Sequence, residues 1–469
     1  MEKIYKERVL DKKHAFLYSL AAFGLMVPVS LFNGFSYYYM VYIVGLRPIL
    51  ASIGNSLGLL LNAFTATIAG YLSDKHDPSK FGRRRPFLLI GTPIMVLGFF
   101  FLWFWPEQIR PDNFGQFGVA IIYWISIAVF CIFSTYVFAP YQSMLPEISS
   151  EKENRIEIAS MQGIANLFGT IIGMIFPFII KSFVTDTNEL IFYMELVSIV
   201  TCVFSVVTIY ITFATIHEPI EEIVQERKIS DEKVEELIKP DLTLKETFVK
   251  MFTPLKNRNF RNWELSYFFF NLGMRIPMTV VMPVIEIVLG IVGSELFICI
   301  LIILPFAGLG FYLWTTLSKK KGLVESLEID FIILIGFMLI AAIFLIPMSE
   351  LLKKVLGVVI ICIIIAALIA IYIIPNPIIS EIIDEEIAFI IEKNGQFESE
   401  EQKYEFSGKF FGVNSFILNL AQAISFLILG PILEQNEENP TFITICLPIT
   451  AIIVIIALIF LKKVKLKKE

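Results

Sequence analysis

Twelve stretches of about 20 or more residues, nearly free of charge, recur along the 469-residue chain. They lie near 15–39, 49–72, 87–105, 117–145, 158–180 and 190–216, and then near 264–289, 295–317, 329–347, 355–376, 410–433 and 441–461. A helix needs about 20 apolar residues to cross a hydrocarbon core about 30 Å thick. Backbone groups in hydrocarbon must find their partners within the segment, and runs this long and continuous exclude barrel strands. Hydrophobic residues make up 56% of the chain and the mean hydropathy is +0.73, well above an ordinary soluble domain. The expected fold class is therefore an all-α polytopic membrane protein.

Basic residues set the expected orientation. Lys3, Lys6, Arg8, Lys12 and Lys13 crowd the start; Lys75, Lys80 and Arg83 to Arg85 fill the loop after the second segment; Lys319 to Lys321 and the tail from Lys462 to Lys468 follow. The alternate loops hold only Arg47, Arg110, Lys181, Lys353 and Lys354. This asymmetry predicts cytoplasmic termini and an even number of spans, in a multi-pass protein of the plasma membrane. Residues 1–13 are charged and the next segment is too long for a cleavable signal, so the first helix is expected to stay as an anchor. The net charge of -6 and the pI of about 5.4 argue against a nucleic-acid partner, because the basic residues are topological and form no continuous patch. Cys131, Cys202, Cys299, Cys362 and Cys446 stand singly in five segments without metal-ligand spacing, and read as small packing residues.

The long polar interruption divides the chain into a bundle over 1–216, a cytoplasmic linker over 217–262 and a second bundle over 263–469. In the linker Thr243 and Glu246 have capping-box spacing, with Phe248, Met251, Phe252 and Leu255 at helical intervals. That pattern predicts a short amphipathic helix on the membrane surface, with a solvated tether as the alternative. Carriers built from repeated halves place their site near the midplane between the halves and rock one against the other.

The sharpest local pattern is Gly70-Tyr-Leu-Ser-Asp74, followed by Gly82-Arg83-Arg84-Arg85-Pro86. Gly70 permits close helix approach, Asp74 can accept charge-assisted bonds, Gly82 permits a tight turn and Pro86 opens the third helix. The pattern reads as a latch that gates the cytoplasmic side; the plainer reading is a set of topogenic positive charges.

Four stretches resemble the glycoside-pentoside-hexuronide:cation symporters, the melibiose permease-like family of the major facilitator superfamily. They are Tyr37-Tyr38-Tyr39 with Ile43-Val44-Gly45, the Gly70 to Pro86 loop, Leu145-Pro146-Glu147 with Arg155, and Glu381-Ile-Ile-Asp384 with the later Gly408 to Gly412. The resemblance implies two six-helix bundles around a central cavity lined in part by helix 7, gating at Glu147, Arg155 and Asp384, and coupling to sodium or protons. The matching positions depart from the family, however. Its helix 2 aspartates fall on Asn62 and Ala66, its helix 4 acid on Phe138 and its helix 11 lysine on Asn419, while helix 1 offers only Asn33. The losses are paired, which leaves no orphan charge. A coupling ion would then need another acid, such as Glu264, Glu286 or Glu147.

Arg275 runs the other way. A guanidinium at mid-bilayer costs roughly 2.5–3.5 kcal/mol on insertion scales, so it normally faces a cavity, an acid or a ligand. Counted from Trp263, it lies about 18 Å along the helix. Glu264 and Glu286 share its stripe but stand about 16 Å away on either side. Arg275 is thus a candidate contact for a substrate carboxylate, phosphate or sulfate, against an internal ion pair or a water-bridged structural role. Asn62, Asn419, Asn33, Tyr37, Tyr141, Gln142, Asn271 and Asn376 are further candidate substrate contacts, against packing glue or interfacial anchoring.

Three functions follow. The first is a secondary active or facilitative transporter of a small polar solute, sugar-, glycoside- or uronate-like and in one form anionic, working as a monomer by alternating access. The second is a transporter of lysophospholipid or another amphiphile. The third is a membrane-embedded lipid-linked transferase, for which Asp384-Glu385-Glu386 is the sole acidic candidate. No cofactor and no metal ligand set is expected, since no Walker loop, HExxH or GxSxG occurs.

Overall fold

A computed structural model of the chain describes residues 9–76, 81–149, 151–218, 251–394 and 400–466. Its long helices are α1 Lys12–Tyr38, α2 Pro48–Lys75, α3 Arg85–Trp103, α4 Gln116–Ser143, α5 Lys152–Phe183 and α6 Thr187–Thr215. The second six are α7 Arg258–Pro283, α8 Ser294–Lys321, α9 Leu323–Ile340, α10 Glu350–Leu368, α11 Glu400–Leu433 and α12 Pro440–Leu461. Twelve spans are long and apolar enough to cross a membrane, and no strand occurs among the described residues. The chain forms two compact units, Met1–Leu46 with Leu57–Glu246, and Arg47–Ser56 with Thr247–Glu469.

Local chemistry sets the helix ends. Asp11 caps α1 by accepting the His14 amide at 2.9 Å, and that amide with the His14 ring holds the Asp11 carboxyl below its ordinary range. Leu10 and the Asn154 side chain exchange two 2.9 Å bonds, which pin the start of α1 to α5. Asp186, Asn257 and Asn439 cap α6, α7 and α12 in the same manner. Such caps satisfy amides that have no partner within the helix.

The same packing scheme occurs in each unit. In the first, α1 packs on α5 and α6, and α3 on α4 and α6; in the second, α7 packs on α11 and α12, and α9 on α12 and α10. Both α1 and α7 end in a π-turn, Tyr39–Ile43 and Val284–Val288. Gly45 and Gly290, at φ 85° and 67°, follow them, and Gly82 and Gly322, at 99° and 95°, precede α3 and α9. Helix n of one unit thus repeats as helix n + 6 of the other, as expected of a carrier built from duplicated halves. Close approach depends on small residues: a Cβ on Gly173 of α5 would lie 2.4 Å from the Val27 carbonyl oxygen, and one on Gly310 of α8 2.4 Å from that of Ala366.

Helix α7 runs through Pro277 to Pro283 before its π-turn. Helix α8 runs through Gly308 and Gly310. The acidic stretch around Asp384 is part of a helix, Pro375–Asn394, that follows α10 after a one-turn piece, Ala370–Ile373. Ile378, Ile379, Ile382, Ile383 and Ile387 are buried along it, while Glu381 and Asp384 are exposed. Of the expected linker helix, Thr243, Glu246 and Phe248 lie outside the described residues, whereas Leu255 falls in a 3-10 turn, Thr253–Lys256, from which the chain enters α7.

Candidate substrate site

Helix α7 carries a polar stripe. Glu264, Tyr267, Asn271, Arg275 and Thr279 succeed one another by three or four residues, so they share one face. Ser266 and Gly273 lie on the opposite face, and that face meets α12: the Ser266 hydroxyl donates to the Ala457 carbonyl at 2.9 Å, and the Thr450 hydroxyl to the Gly273 carbonyl at 3.3 Å. The polar stripe therefore points away from α12, and α11 meets it. The Asn414 amide donates to Glu264 Oε1 at 3.1 Å. Eleven residues further along α7, the Arg275 guanidinium carbon lies 4.7 Å from the centroid of the Phe426 ring. Within the stripe, the Asn271 amide donates to the Tyr267 carbonyl and the Thr279 hydroxyl to the Arg275 carbonyl, both at 2.8 Å.

Arg275 is 8% exposed. With its π-turn, α7 covers 31 residues, about 46 Å of rise, and Arg275 stands about 25 Å from its start, close to the midpoint. Tyr372, in the piece after α10, lies within electrostatic reach of the guanidinium. A cation stacked on an aromatic face in a desolvated place gains about 2 kcal/mol from the ring, and a guanidinium fork suits an oxyanion. Asn376 is exposed, and its carbonyl accepts from the Ser380 hydroxyl at 3.0 Å. The half-buried Asn419 donates to the Ser415 carbonyl at 2.8 Å.

In the first unit the sequence-predicted residues do different work. Asn62 Oδ1 accepts from the Thr135 hydroxyl of α4 at 3.0 Å, so the position matching a family acid is already engaged. Ala66 offers no ligand atom. Tyr141 is fully buried: its hydroxyl donates to the Tyr18 carbonyl at 2.9 Å and accepts from Gln162 at 2.8 Å, while Tyr18 returns a 2.5 Å bond to the Tyr141 carbonyl. This reciprocal pair ties α1 to α4. Tyr37 is buried, Tyr38 is buried in an aromatic cluster with Phe35, Tyr39 and Trp103, Gln142 is half-buried and Asn33 is exposed.

The loop before α3 is built around a carboxylate that sequence reasoning did not single out. Glu218 accepts the amides of Arg83, Arg84 and Arg85 at 2.6, 2.9 and 2.8 Å. Amides at a helix start form an anion site, and here the anion is the chain's own. Gly82 makes the fit possible, since a Cβ there would lie 2.8 Å from the Glu218 carboxyl carbon. The Arg85 guanidinium donates to the Phe213 carbonyl near the end of α6 and lies 4.6 Å over the Phe213 ring. Arg155 Nε donates to the Ser149 carbonyl at 2.6 Å. The side chains of Asp74 and Glu147, and the surroundings of Gly70, fall outside the described residues.

A family model described as MFS/sugar transport protein matches residues 17–462. A sodium-dependent lysophosphatidylcholine symporter of Gallus gallus is 29% identical over 138 residues, 29% of this chain and 24% of that one. A sphingosine-1-phosphate transporter of Xenopus tropicalis is 27% identical over 135 residues, 29% of this chain and 25% of that one. The matches thus span about a quarter of the length of these relatives. Among solved structures, a nucleoside transporter superposes with a TM-score of 0.64 at 11% identity, covering 96% of this chain and 99% of that one. A D-xylose-proton symporter gives 0.63 at 12%, covering 94% and 96%. At such identities the likeness carries the fold alone, twelve helices in two six-helix bundles.

Proposed function

The chain belongs to the MFS/sugar transport protein family, and from that premise we propose that it moves a phosphate-bearing amphiphile of the lysophospholipid kind across the plasma membrane. It works as a single chain with cytoplasmic termini, by alternating access between its halves. The observation that carries this reading is Arg275, a buried cation midway along the polar face of α7 with the Phe426 ring against it. A guanidinium fork matches a phosphate, and an aromatic neighbour tolerates the start of an acyl chain. The two named relatives support it, since lysophosphatidylcholine and sphingosine-1-phosphate both join one long chain to a phosphate. Loops such as the Glu218 clasp would act as the gate.

A uronate or other small anion is the second reading, favoured by the sugar-transport description of the family model. The test is uptake into proteoliposomes of labelled lysophosphatidylcholine beside labelled glucuronate. Uptake of the lipid with no uptake of glucuronate supports the proposal; the reverse overturns it. Dependence on sodium does not carry over from the relative's name. A hard cation needs several oxygen ligands, and here Ala66 supplies none while Asn62 Oδ1 is taken by Thr135.

A further inference from the structure

Two acids are buried in the second unit with no opposite charge beside them among the described residues. Asp330 of α9 is 0% exposed, and neither of its carboxyl oxygens has a hydrogen-bond partner among the described residues. Glu264 is 2% exposed; its Oε1 takes the Asn414 amide, and its Oε2 has no partner among the described residues. An uncompensated carboxylate in such a place is strongly destabilising, so each position needs a reason. The two differ in placement. Asp330 lies on α9, which packs on α12 and α10 and whose Phe331 stacks on Phe270 of α7 at 4.6 Å. Glu264 lies on the α7 stripe, about 16 Å from Arg275.

The groups around Glu264 are few. From α11 the facing group is Asn414; from its own helix the titratable neighbour is Tyr267. Helix α12 meets the other face of α7 through Thr450 and the Ala457 carbonyl. At the start of α7, Asn257 holds Glu386 of the Pro375–Asn394 helix at 2.5 Å. Among the described residues, no charged side chain of any of these elements bears on Glu264.

We propose that Glu264, held by Asn414, is a proton-binding site, and that it couples cargo movement to a proton in place of the acids missing at Asn62 and Ala66. A proton on Oε2 removes the uncompensated charge and leaves Oε1 to the Asn414 amide. The link to cargo is geometric. Glu264–Asn414 and Arg275–Phe426 are two rungs between the same pair of helices, α7 and α11, eleven and twelve residues apart. Whatever shifts α11 against α7 changes both rungs at once. Coupling between two ligands is reciprocal, so cargo at the upper rung changes proton affinity at the lower by the factor with which the proton changes cargo affinity.

The proton site stands by itself; its coupling to cargo rests on the amphiphile reading above. The experiment therefore has two arms. In the first, purified protein in lipid, without cargo, is taken through a pH step and the infrared difference spectrum is recorded in the carboxylic-acid carbonyl region. The wild type is expected to give a titrating band that disappears in Glu264→Gln, persists in Asp330→Asn and is displaced in frequency in Asn414→Ala. A band unchanged in Glu264→Gln, or lost in Asp330→Asn instead, overturns the assignment. Should Glu264→Gln fail to fold, an undisplaced band in Asn414→Ala overturns it equally.

In the second arm, vesicles carrying a trapped pH dye receive lysophosphatidylcholine. Internal pH is expected to move with uptake in the wild type, and the proton movement to fall about tenfold in Glu264→Gln, within the usual span of such couplings. Uptake with undiminished proton movement in Glu264→Gln refutes coupling at this residue. A Glu264-dependent band with no lipid uptake defeats the cargo reading and leaves the proton site in place. Lipid uptake without such a band defeats the proton site and leaves the cargo reading in place.

Discussion

Replacing Glu218 tests whether the arginine loop is a built clasp or only a run of topogenic charge. The carboxylate takes three amides at 2.6 to 2.9 Å. Bonds to a charged acceptor are worth roughly 1.5–3 kcal/mol each, which sets a ceiling of about 4.5–9 kcal/mol. Water returns to some of the amides once the side chain is gone, so Glu218→Ala is expected to cost about 2–4 kcal/mol. Glu218→Gln is expected to cost no less, because its amide group turns donors toward donors. At roughly 2–4 °C per kcal/mol for a unit of this size, apparent melting falls by roughly 4–16 °C. A thiol-reactive dye can follow it through Cys131 and Cys202, in a background with Cys299, Cys362 and Cys446 replaced by alanine, at one fixed heating rate. Gly82→Ala completes a cycle: its Cβ would strike the Glu218 carboxyl and sit at φ 99°. In the Glu218→Ala background only the backbone strain remains, about 1–2 kcal/mol, so the two losses must be less than additive. Additive losses, or a Glu218→Ala protein that melts within about 2 °C of wild type, refute the clasp.

Two further outcomes follow from buried groups. Tyr141→Phe removes a hydroxyl that both donates and accepts, so melting should drop by an amount equivalent to about 1–3 kcal/mol while lysophosphatidylcholine uptake keeps its apparent affinity; a large affinity change would return Tyr141 to the substrate site. Asp330→Leu replaces an acid without a partner among the described residues by an apolar residue of similar volume, and should stabilise the protein by about 1–3 kcal/mol; a lower melting temperature would mean that the acid has a role in the folded state.

Much of the architecture was legible because hydropathy counts membrane crossings directly. What it misplaced were helix starts, and with them two acids. The apolar run of the seventh span begins at Glu264, yet α7 begins at Arg258, so an acid that looks like a rim charge is 2% exposed. Asp330 stands at the edge of the ninth apolar run for the same reason, while α9 begins at Leu323. In both cases a polar first turn lengthens the helix, and burial there comes from neighbouring helices that no local pattern encodes. The stretch after α10 hid its helix differently: charges at Glu381 and Asp384 break the run, but the isoleucines keep a helical interval between them. Glu218 left no local trace, since it meets its three amides across more than 130 residues. Arg275 was legible because an isolated cation in an apolar run is costly wherever it points.

The central claim is that Arg275 receives the phosphate of an amphiphile. The most direct measurement is lysophosphatidylcholine uptake into proteoliposomes by wild type, Arg275→Lys and Arg275→Gln, with melting recorded for each. Loss of a charged, buried contact should weaken apparent affinity in Arg275→Gln by 2–5 kcal/mol, about 30-fold or more, with Arg275→Lys between because it keeps the charge and loses the fork. Folded Arg275→Lys and Arg275→Gln proteins that both transport with wild-type affinity would contradict the account.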